Sequence, residues 1–241
     1  MDLIKGRDTV LFDLDGTLLP IELDVFLENY FQALTKEFMD VANPNEFINM
    51  LMKATGEMIN NNGEKLNQEV FMEAFIPQVE IDDKTEIIGR FDQFYREKFP
   101  LLKENWELNN ISSELVKLFK DLGYRMVIAT NPLFPREAVV ERMRWVGLNP
   151  DDFDLVTSYE NMHYSKPNLK YYQEIMDKVN TSPQNCIMIG NDVQEDMVVG
   201  KLGVTTFLIN DFLINRESKE QFEPDWQGSM VNLKSLVKDK F

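Results

Sequence analysis

The feature that most constrains this chain is a short apolar run that ends in closely spaced aspartates. Residues 9–12, Thr-Val-Leu-Phe, are β-branched or apolar and have the length of a strand buried on both faces. Asp13 and Asp15 follow directly, with Gly16 and Thr17 after them. The pattern therefore predicts two carboxylates at the carboxyl end of a buried strand, followed by a sharp turn.

The spacing of Asp13 and Asp15 places both side chains on the same side of an extended backbone. Two like charges this close are costly unless a cation or a shared proton relieves them, and Mg²⁺ prefers oxygen ligands of this kind. Gly16 lacks the Cβ that would hinder a sharp turn, and the Thr17 hydroxyl can bond the turn's own backbone. The combination suits chemistry on phosphate, with an aspartate nucleophile, a second carboxyl group that carries a proton, and N–H groups that face anionic oxygens.

Two other interpretations of this segment stay open at this point. Aspartate and glycine are common turn residues, so the segment could be an ordinary solvated loop. An EF-hand loop is a poorer match, because Leu18 stands where that loop needs an invariant glycine. The chemistry at the ends of the later strands decides between these interpretations.

The second half of the chain alternates apolar runs with helical patterns, and polar residues follow several of the runs. This alternation predicts a parallel sheet with right-handed crossovers, in which a ligand lies outside the carboxyl ends of the strands. A helix that contains Asp196 is predicted after the run at 186–189. Four separate segments bring suitable side chains to this edge: Asp13 with Asp15, Thr130, Lys166, and Asp192 with Asp196. Their convergence argues against an ordinary solvated loop.

A purely helical pattern separates the first strand from all later ones. From 20 to 107 apolar residues recur at helical spacing without a strand pattern. Helices are predicted over 22–41 and 43–59, a third from Asn67, and a fourth from Asp82 and Asp83. We therefore expect an inserted α-helical domain at 20–107, within an α/β core domain formed by 1–19 and 108–241. The Phe and Met residues of the insertion are expected to form its core.

The charge of the chain limits the partners that it can bind. It carries 25 Lys and Arg against 41 Asp and Glu, a formal net charge of −16. No Lys- or Arg-rich run occurs that could follow a phosphate backbone, so neither nucleic acid nor an anionic membrane is an expected partner. An anionic substrate would have to be attracted by a metal ion, a single lysine and backbone N–H groups, which favours a small enclosed site.

Cysteine usage and hydropathy predict a cytoplasmic protein. Cys186 is the only cysteine and stands in an apolar stretch, so we place it in the core and expect no internal disulfide. The first residues lack the apolar segment of a signal peptide, and no run of about 18 apolar residues could span a bilayer. The sequence leaves the oligomeric state open, and we favour a monomer.

Four ordered motifs in the α/β part carry a resemblance to a known family. They are DLDGT at 13–17, ATN at 129–131, SKP at 165–167 and GNDVQED at 190–196. In this order they resemble the motifs of the haloacid dehalogenase-like hydrolases. The resemblance implies a Rossmann-like doubly wound core, and the helical insertion is similar to the C1-type α-helical cap of one subgroup.

The resemblance also implies a role in catalysis for the first three motifs. Asp13 would attack phosphorus and form an aspartyl-phosphate, while Asp15 would act as general acid and then as general base. Thr130 and the backbone N–H of Asn131 would hold the phosphoryl oxygens, together with the backbone at Gly16. Lys166 would neutralise the nucleophile and the transferring group.

The fourth motif, by the same resemblance, implies a Mg²⁺ site. Its ligands would be Asp13, the backbone carbonyl of Asp15, and Asp192. Because many relatives have Gly-Asp where this chain has Gly-Asn-Asp, either Asn191 or Asp192 could take the main ligand position, and a carboxylate suits Mg²⁺ better than an amide. Asp196 could orient Lys166 or contact the metal directly. Thr17, Asn191 and Asp196 are therefore expected as supporting residues.

These roles lead to an expected function and to its alternatives. We expect a Mg²⁺-dependent hydrolase of small phosphate monoesters, since Asp15 supplies the acid that a dehalogenase would not need. A phosphonate hydrolase would need a Schiff-base lysine, for which Lys36 and Lys53 are present without a supporting motif. A phosphomutase or phosphotransferase with the same intermediate stays open, as does a non-catalytic protein that binds a phosphorylated ligand.

Overall fold

A six-stranded parallel sheet forms the centre of the protein, as seen in a computed structural model that describes residues 3–79, 84–103, 110–217 and 220–239. The strand order is β3-β2-β1-β4-β5-β6. The strands are β1 (Thr9–Phe12), β2 (Arg125–Ile128), β3 (Leu155–Val156), β4 (Cys186–Gly190), β5 (Thr205–Ile209) and β6 (Trp226–Gly228). Since β1 pairs with β2 on one side and with β4 on the other, the strand order reverses at the centre of the sheet. The predicted parallel α/β class is confirmed.

Eight α-helices are found within the described ranges. They are α1 (Leu23–Lys36), α2 (Pro44–Ile59), α3 (Asn67–Phe75), α4 (Lys84–Glu97), α5 (Ile111–Asp121), α6 (Arg136–Trp145), α7 (Leu169–Lys178) and α8 (Met230–Lys238). The predicted start of the fourth helix at Asp82 and Asp83, and the predicted domain boundary at 107/108, lie outside the described residues. No helix within those ranges has the length and apolar character needed to cross a membrane.

Alternate residues of the central strands face opposite sides of the sheet. Val10 and Phe12 pack with buried residues of α5, α6 and α8, whereas Leu11 packs with those of α7. All three strand residues are fully buried. Helices therefore cover both faces of the sheet, which explains why the strands read as continuous apolar runs rather than as alternating ones.

Helices α1 to α4 form the helical insertion between β1 and α5. Its core is aromatic: the Phe38 and Phe47 rings stack with centroids 4.6 Å apart, and Phe91 lies 4.8 Å from Phe38. The expectation that Phe residues fill this core is confirmed for these three, but Met39 and Met52 are 66% and 53% exposed. The insertion shares one apolar cluster with the face of the sheet that carries α5, α6 and α8.

Asn67 connects the helical insertion to the α/β part. The sequence predicts it as a helix cap, but it is the first residue of α3 and is fully buried. Its backbone N–H donates to Met162 O at 2.9 Å, and its side-chain amide lies 3.3 Å from Ser165 Oγ and 3.4 Å from Pro132 O. The Gln68 N–H adds a bond to Tyr159 O at 2.8 Å. The start of α3 therefore holds the insertion against the loops that follow β2 and β3.

Near the end of the chain one local prediction is wrong and one strand was not predicted. Asp196 does not lie in a helix but precedes a 3₁₀ segment, Met197–Leu202. Its carboxylate accepts the Asp192 N–H at 3.0 Å, and its own N–H donates to Asp192 O at 2.9 Å, so residues 192–196 form a turn closed by bonds in both directions before the 3₁₀ segment begins. Strand β6 was not predicted, because its three residues lie in a mixed, charged stretch without an alternating pattern.

Candidate active site

The loop after β1 is held by a dense set of backbone hydrogen bonds. The N–H groups of Thr17 and Leu19 both donate to Leu14 O, at 3.2 and 2.8 Å, and the Gly16 N–H donates to Leu19 O at 2.8 Å. Gly16 has φ +78°, a left-handed conformation that favours glycine. This turn directs the chain away from the sheet immediately after the two aspartates.

Asn191, which directly follows the neighbouring strand β4, stabilises this turn. A Cβ on Gly16 would lie 2.3 Å from Asn191 Nδ2, so glycine is needed for space as well as for conformation. Thr17 Oγ1 donates to Asn191 Oδ1 at 3.1 Å, and Asn191 Nδ2 donates to Phe212 O at 2.5 Å. The prediction that Thr17 bonds the turn's own backbone is thus wrong: the partner is Asn191, whose amide is engaged at both ends.

Lys166 lies between two buried carboxylates. Its Nζ donates to Asp13 Oδ1 at 2.7 Å and to Asp196 Oδ1 at 2.6 Å, and all three residues are at most 7% exposed. Burial raises the pKa of Asp13, and it raises the pKa of Asp196 to about 7, while Lys166 opposes both shifts. Burial also disfavours the charged lysine, but the adjacent Asp13 and Asp196 keep the pKa of Lys166 well above its usual value.

Asp15 is paired with an arginine that the sequence analysis missed. Asp15 Oδ2 accepts a hydrogen bond from Nη1 of Arg142, a fully buried residue of α6. The guanidinium lies 4.6 Å from the centroid of the Phe134 ring and 5.6 Å from that of Phe26. In the described part of the chain, Asp15 Oδ1 and Arg142 Nη2 are buried without a hydrogen-bond partner. The two aspartates of the motif therefore each have their own cation.

The pattern of α6 contains a signal that could have identified Arg142. The buried face of this helix includes Ala138, Val139 and Met143, and Arg142 falls on the same face, four residues after Ala138. An arginine in an apolar helical stripe needs a buried partner. The partner cannot be identified from the sequence, because Asp15 lies 127 residues away along the chain.

Asp192 and Glu195 meet a second arginine at the other side of the site. Asp192 Oδ1 accepts the N–H groups of Gln194 and Glu195, both at 2.9 Å, while its Oδ2 lies 2.5 Å from Arg216 Nη1. Arg216 Nη2 is 3.5 Å from Glu195 Oε1, and its side chain is 49% exposed. Burial raises the pKa of Glu195. Neither Glu195 nor Arg216 was predicted, and Arg216 stands in a charged stretch without any motif.

Hydrogen bonds to the Thr130 carbonyl and to the Asn131 side-chain amide fix the segment that follows β2. The Thr130 carbonyl accepts hydrogen bonds from Thr157 Oγ1 and Tyr171 Oη, both at 2.7 Å. Asn131 Oδ1 accepts the Lys166 N–H at 3.2 Å, and Asn131 Nδ2 donates to Glu195 Oε2 at 3.2 Å. Asn131 thus links the ends of three separate segments.

A cavity of about 180 Å³ joins these side chains at the carboxyl ends of β1, β2 and β4. Of the residues predicted to form the site, it is lined by Asp13, Asp15, Thr130, Asn131, Lys166, Asn191, Asp192 and Asp196. Gly16 and Thr17 are not among the described residues that line it; they shape the turn instead. The lining also includes Glu195, Ile214 and Arg216, Leu23 and Leu27 of α1, and Leu133 and Phe134 of the loop after β2.

Oxygen donors that suit Mg²⁺ lie in this cavity, which we call the polar cavity. Within the described ranges no group of three or more acidic, His or Cys side chains is arranged to hold a metal ion. Among the carboxylates that line the cavity are those of the two predicted acidic ligands, Asp13 and Asp192, although Asp192 is paired with Arg216. Mg²⁺ is often bound by one or two carboxylates with waters and carbonyl oxygens. The donor set is therefore compatible with Mg²⁺ if the Asp15 carbonyl contributes, as the family resemblance implies.

Solved structures with the same architecture come from several hydrolases. A predicted phosphoglycolate phosphatase from Haemophilus somnus 129PT has a TM-score of 0.58 at 16% identity, covering 96% of this chain and 98% of its own. YfnB from Bacillus subtilis, a putative hydrolase solved with bound magnesium, has a TM-score of 0.55 at 20% identity, covering 97% and 99%. A 2-haloacid dehalogenase from Pseudomonas syringae has a TM-score of 0.62 at 14% identity, covering 98% and 100%. At these identities the likeness concerns the fold alone.

Curated relatives point to the same group of proteins. Pyrophosphatase PpaX from Bacillus cereus (strain Q1) is 24% identical over 234 residues, which cover 96% of this chain and 97% of PpaX. A glyceraldehyde 3-phosphate phosphatase from Methanothermobacter thermautotrophicus is 28% identical over 127 residues, covering 53% of this chain and 51% of its own. The family model of haloacid dehalogenase-like hydrolases matches residues 7–202, well over half of the chain. This protein therefore belongs to the haloacid dehalogenase-like hydrolase family.

Proposed function

We propose that this protein is a Mg²⁺-dependent phosphatase that hydrolyses small phosphate monoesters through an aspartyl-phosphate on Asp13. The observation that carries the proposal is the contact of Lys166 Nζ with Asp13 Oδ1 at 2.7 Å, at the wall of a cavity that Thr130 also lines. A buried carboxylate beside a cation can remain ionised, which a nucleophile requires. The relatives that are named as phosphatases support the same reaction class.

Asp13 and Asp15 share the two chemical steps. In the first, an Asp13 oxygen bonds to phosphorus, the bond from phosphorus to the ester oxygen breaks, and the leaving alcohol takes a proton from Asp15. In the second, Asp15 takes a proton from water, the water oxygen bonds to phosphorus, and the bond to Asp13 breaks. Arg142 holds Asp15 Oδ2, so Asp15 Oδ1, which is without a partner in the described part of the chain, is the oxygen available for the proton.

Lys166 and Thr130 position and neutralise the phosphoryl group. The Lys166 ammonium, already held by Asp13 and Asp196, offsets the negative charge that accumulates as the anionic nucleophile meets an anionic substrate. Thr130 and Asn131 follow β2 and line the same cavity, where the Thr130 hydroxyl and the Asn131 N–H would bind the phosphoryl oxygens. Asn131 also keeps Lys166 in place through its bond to the Lys166 N–H.

Asp13, Asp192 and the Asp15 carbonyl would hold the Mg²⁺ ion. When bound, the ion would supply positive charge that neutralises the phosphate and fixes it against the nucleophile. Because Asp192 Oδ2 is paired with Arg216 at 2.5 Å, Arg216 would have to release this oxygen or share it. Asn191 would support the site indirectly, by holding the turn through its bond with Thr17. Asp196 would orient Lys166 rather than contact the ion.

The helical insertion would act as a cap over the site, in a core domain of 1–19 and 108–241 with the cap at 20–107. Leu23 and Leu27 of α1 line the polar cavity, so the insertion contributes to the surface that a substrate would meet. A cap that closes over the phosphate excludes water from the aspartyl-phosphate until the hydrolytic step. The cap would also contact the leaving alcohol and so select among esters.

The experiment that tests the proposal is a set of hydrolysis assays on small phosphate monoesters with and without Mg²⁺. Wild-type protein, Asp13→Asn and Asp8→Asn are compared, the last being a control at the other end of β1. The proposal predicts turnover that needs both Mg²⁺ and Asp13 and that is retained by Asp8→Asn. Turnover by Asp13→Asn at the wild-type rate, or no turnover of any ester by folded wild type, would refute it.

A further inference from the structure

A second cavity, of about 240 Å³, lies beside the polar cavity and is apolar. Helices of the insertion form most of it, with Leu51 and Thr55 from α2 and Phe71 from α3. The loop after β2, with Leu133, Phe134 and Pro135, and Tyr159 after β3 form the rest. We call it the apolar cavity, and none of the described residues that line it carries a charge.

Two tyrosines of the apolar cavity satisfy each other's hydroxyl groups. Tyr30 Oη and Tyr95 Oη lie 2.8 Å apart, and both residues are at most 8% exposed. Burial raises the pKa of Tyr30 to about 12 and that of Tyr95 well above its usual value, so both are neutral near pH 7. Because their hydroxyls are paired, these residues offer the cavity ring surface rather than a polar recognition group.

The apolar cavity reaches the protein surface beside α2. Met52 and Ile59 line it and are 53% and 43% exposed. Large exposed apolar side chains at the rim of a cavity are typical of a ligand-binding groove. A molecule could therefore enter without unfolding the insertion.

The two cavities have a common wall. Leu27, Leu133 and Phe134 line both of them. Leu133 and Phe134 follow Thr130 and Asn131 in one loop, so the same loop that borders the phosphate site also borders the apolar cavity. A ligand bound at Asp13 would thus lie next to the apolar cavity, which is on the side of the helical insertion.

We propose that the apolar cavity binds the leaving group of the substrate, and that the substrate is a phosphate monoester of an uncharged apolar alcohol or phenol. This inference rests on the proposed phosphatase function and names its substrate class. A cavity of roughly 150 Å³ lined by apolar side chains accommodates benzene, so one of about 240 Å³ has room for a short alkyl chain or a two-ring aromatic group. Besides the two paired tyrosines, the described lining offers only the hydroxyls of Thr55 and Tyr159, so a sugar or glycerol leaving group would lose most of its hydrogen bonds to water there without replacement.

The proposal predicts a dependence of activity on the length of an alkyl leaving group. Burial of one methylene is worth about a fourfold increase in binding, and binding of a non-reacting group appears in kcat/KM. For methyl, ethyl, butyl and hexyl phosphate, kcat/KM of the wild type should rise about fourfold per methylene until the chain fills the cavity. The value for 1-naphthyl phosphate should exceed that for glycerol phosphate at least about tenfold.

A cavity-filling variant tests where this preference arises. Thr55→Phe places a ring in the apolar cavity from α2, and Glu57→Phe places the same ring at an exposed position of the same helix that does not line it. We expect Thr55→Phe to lower the hexyl-to-methyl ratio of kcat/KM at least about tenfold and Glu57→Phe to leave it at the wild-type value. Both kcat/KM values are measured on the same preparation. A reduced fraction of folded Thr55→Phe therefore lowers both values equally and leaves their ratio unchanged.

If Thr55→Phe does not fold, inhibition of the wild type by 1-naphthol gives the same test. The proposal predicts that 1-naphthol competes with hexyl phosphate, at concentrations where glycerol does not inhibit. A wild type that hydrolyses esters but shows no chain-length dependence, an unchanged ratio in Thr55→Phe, or non-competitive inhibition by 1-naphthol would overturn the substrate assignment alone. Failure of the wild type to hydrolyse any ester would overturn the proposed function and the substrate assignment with it.

Discussion

Arg142 of α6 and Asp15 of the loop after β1 form a buried ion pair at the edge of the polar cavity. The arginine side chain is 1% exposed, and that of the aspartate is 12% exposed. Asp15 is therefore fixed by a residue that belongs to none of the four sequence motifs. Because Phe26 of α1 and Phe134 both lie against the guanidinium, this pair also connects the site to the helical insertion.

Replacement of Arg142 by Met should impair both stability and activity. The variant keeps the apolar length of the side chain but leaves Asp15 without its cation, and loss of one partner of a buried ion pair costs about 3 kcal/mol. If Asp15 carries the proton, kcat/KM should fall about 10²-fold or more. Urea unfolding and ester hydrolysis check the two effects. Arg144→Met, at a 61% exposed arginine of the same helix, should behave like the wild type, and equal effects of the two variants would contradict this account.

Gly190→Ala should displace Asp196 and thereby Lys166. A Cβ at Gly190 would lie 2.1 Å from Asp196 Oδ2, so the carboxylate must move away from the Asp192 N–H that it accepts. We expect a loss of about 1–3 kcal/mol in the free energy of unfolding, as for an overpacked core position, and a fall in kcat. Gly200→Ala is the matched control, since its Cβ would meet Thr206 at an ordinary 3.6 Å. A fully active and stable Gly190→Ala would show that the position of Asp196 does not matter.

Asn67→Ala should loosen the helical insertion from the α/β part. The substitution removes the amide bonds to Ser165 and Pro132 and leaves their oxygens buried, which costs about 1–3 kcal/mol. Hydrogen exchange should become faster at the start of α3 but not in β1 or β4. Asn62→Ala removes only an exposed bond to the Glu64 N–H and serves as the control. Unchanged exchange in α3 would mean that the apolar contacts alone hold the insertion.

Cys186 should be inert to thiol reagents in the native protein. It is fully buried, and burial raises the pKa of its thiol from 9.0 to about 11, whereas the thiolate is the reactive form. The reaction with Ellman's reagent at pH 8 should therefore be slow in buffer and fast in urea. Rapid labelling of the folded protein would contradict the buried position.

The same pKa shift has a consequence for stability at alkaline pH. The folded state holds the Cys186 proton up to about pH 11, while the unfolded state releases it above about pH 9. This contribution to stability is thus fully present below pH 9 and is lost as the pH rises towards 11. Because each pH unit between the two pKa values is worth about 1.4 kcal/mol, the wild type should lose about 2 kcal/mol more than Cys186→Ala between pH 8 and pH 10.5. Equal losses in urea titrations would argue against the shift.

The sequence was sufficient to predict the parts of the site that lie at strand ends. Asp13 and Thr130 directly follow apolar runs, Asp192 stands three residues after one, and parallel strands bring such positions to one edge of the sheet. The bounds of β1 were also predicted, because a strand buried on both faces reads as an uninterrupted apolar run. The family that these motifs resemble is the one to which the chain belongs.

The remaining residues of the site depend on tertiary contacts that no local pattern encodes. In the sequence, Arg142 is one residue of a predicted helix and Arg216 is part of a charged stretch. Only the fold pairs them with Asp15 and Asp192. Asn67 was predicted as a helix cap because the side chain fits that role locally, yet its partners are loops of the α/β part. Asp196 was placed in a helix because the alternation of strands and helices predicts one after the run at 186–189. For Arg142, Arg216 and Asn67 the decisive contacts are long-range.

The central claim of this account is that Asp13 carries the phosphoryl group. The most direct measurement is to mix the protein with Mg²⁺ and a good ester substrate, quench in acid within one turnover, and locate the bound phosphate by peptide mass spectrometry. We predict an acid-stable, hydroxylamine-sensitive phosphate on the peptide that contains Asp13, which is absent in Asp13→Asn. Phosphate on a different residue, or rapid turnover by wild type without any covalent phosphate, would contradict the claim.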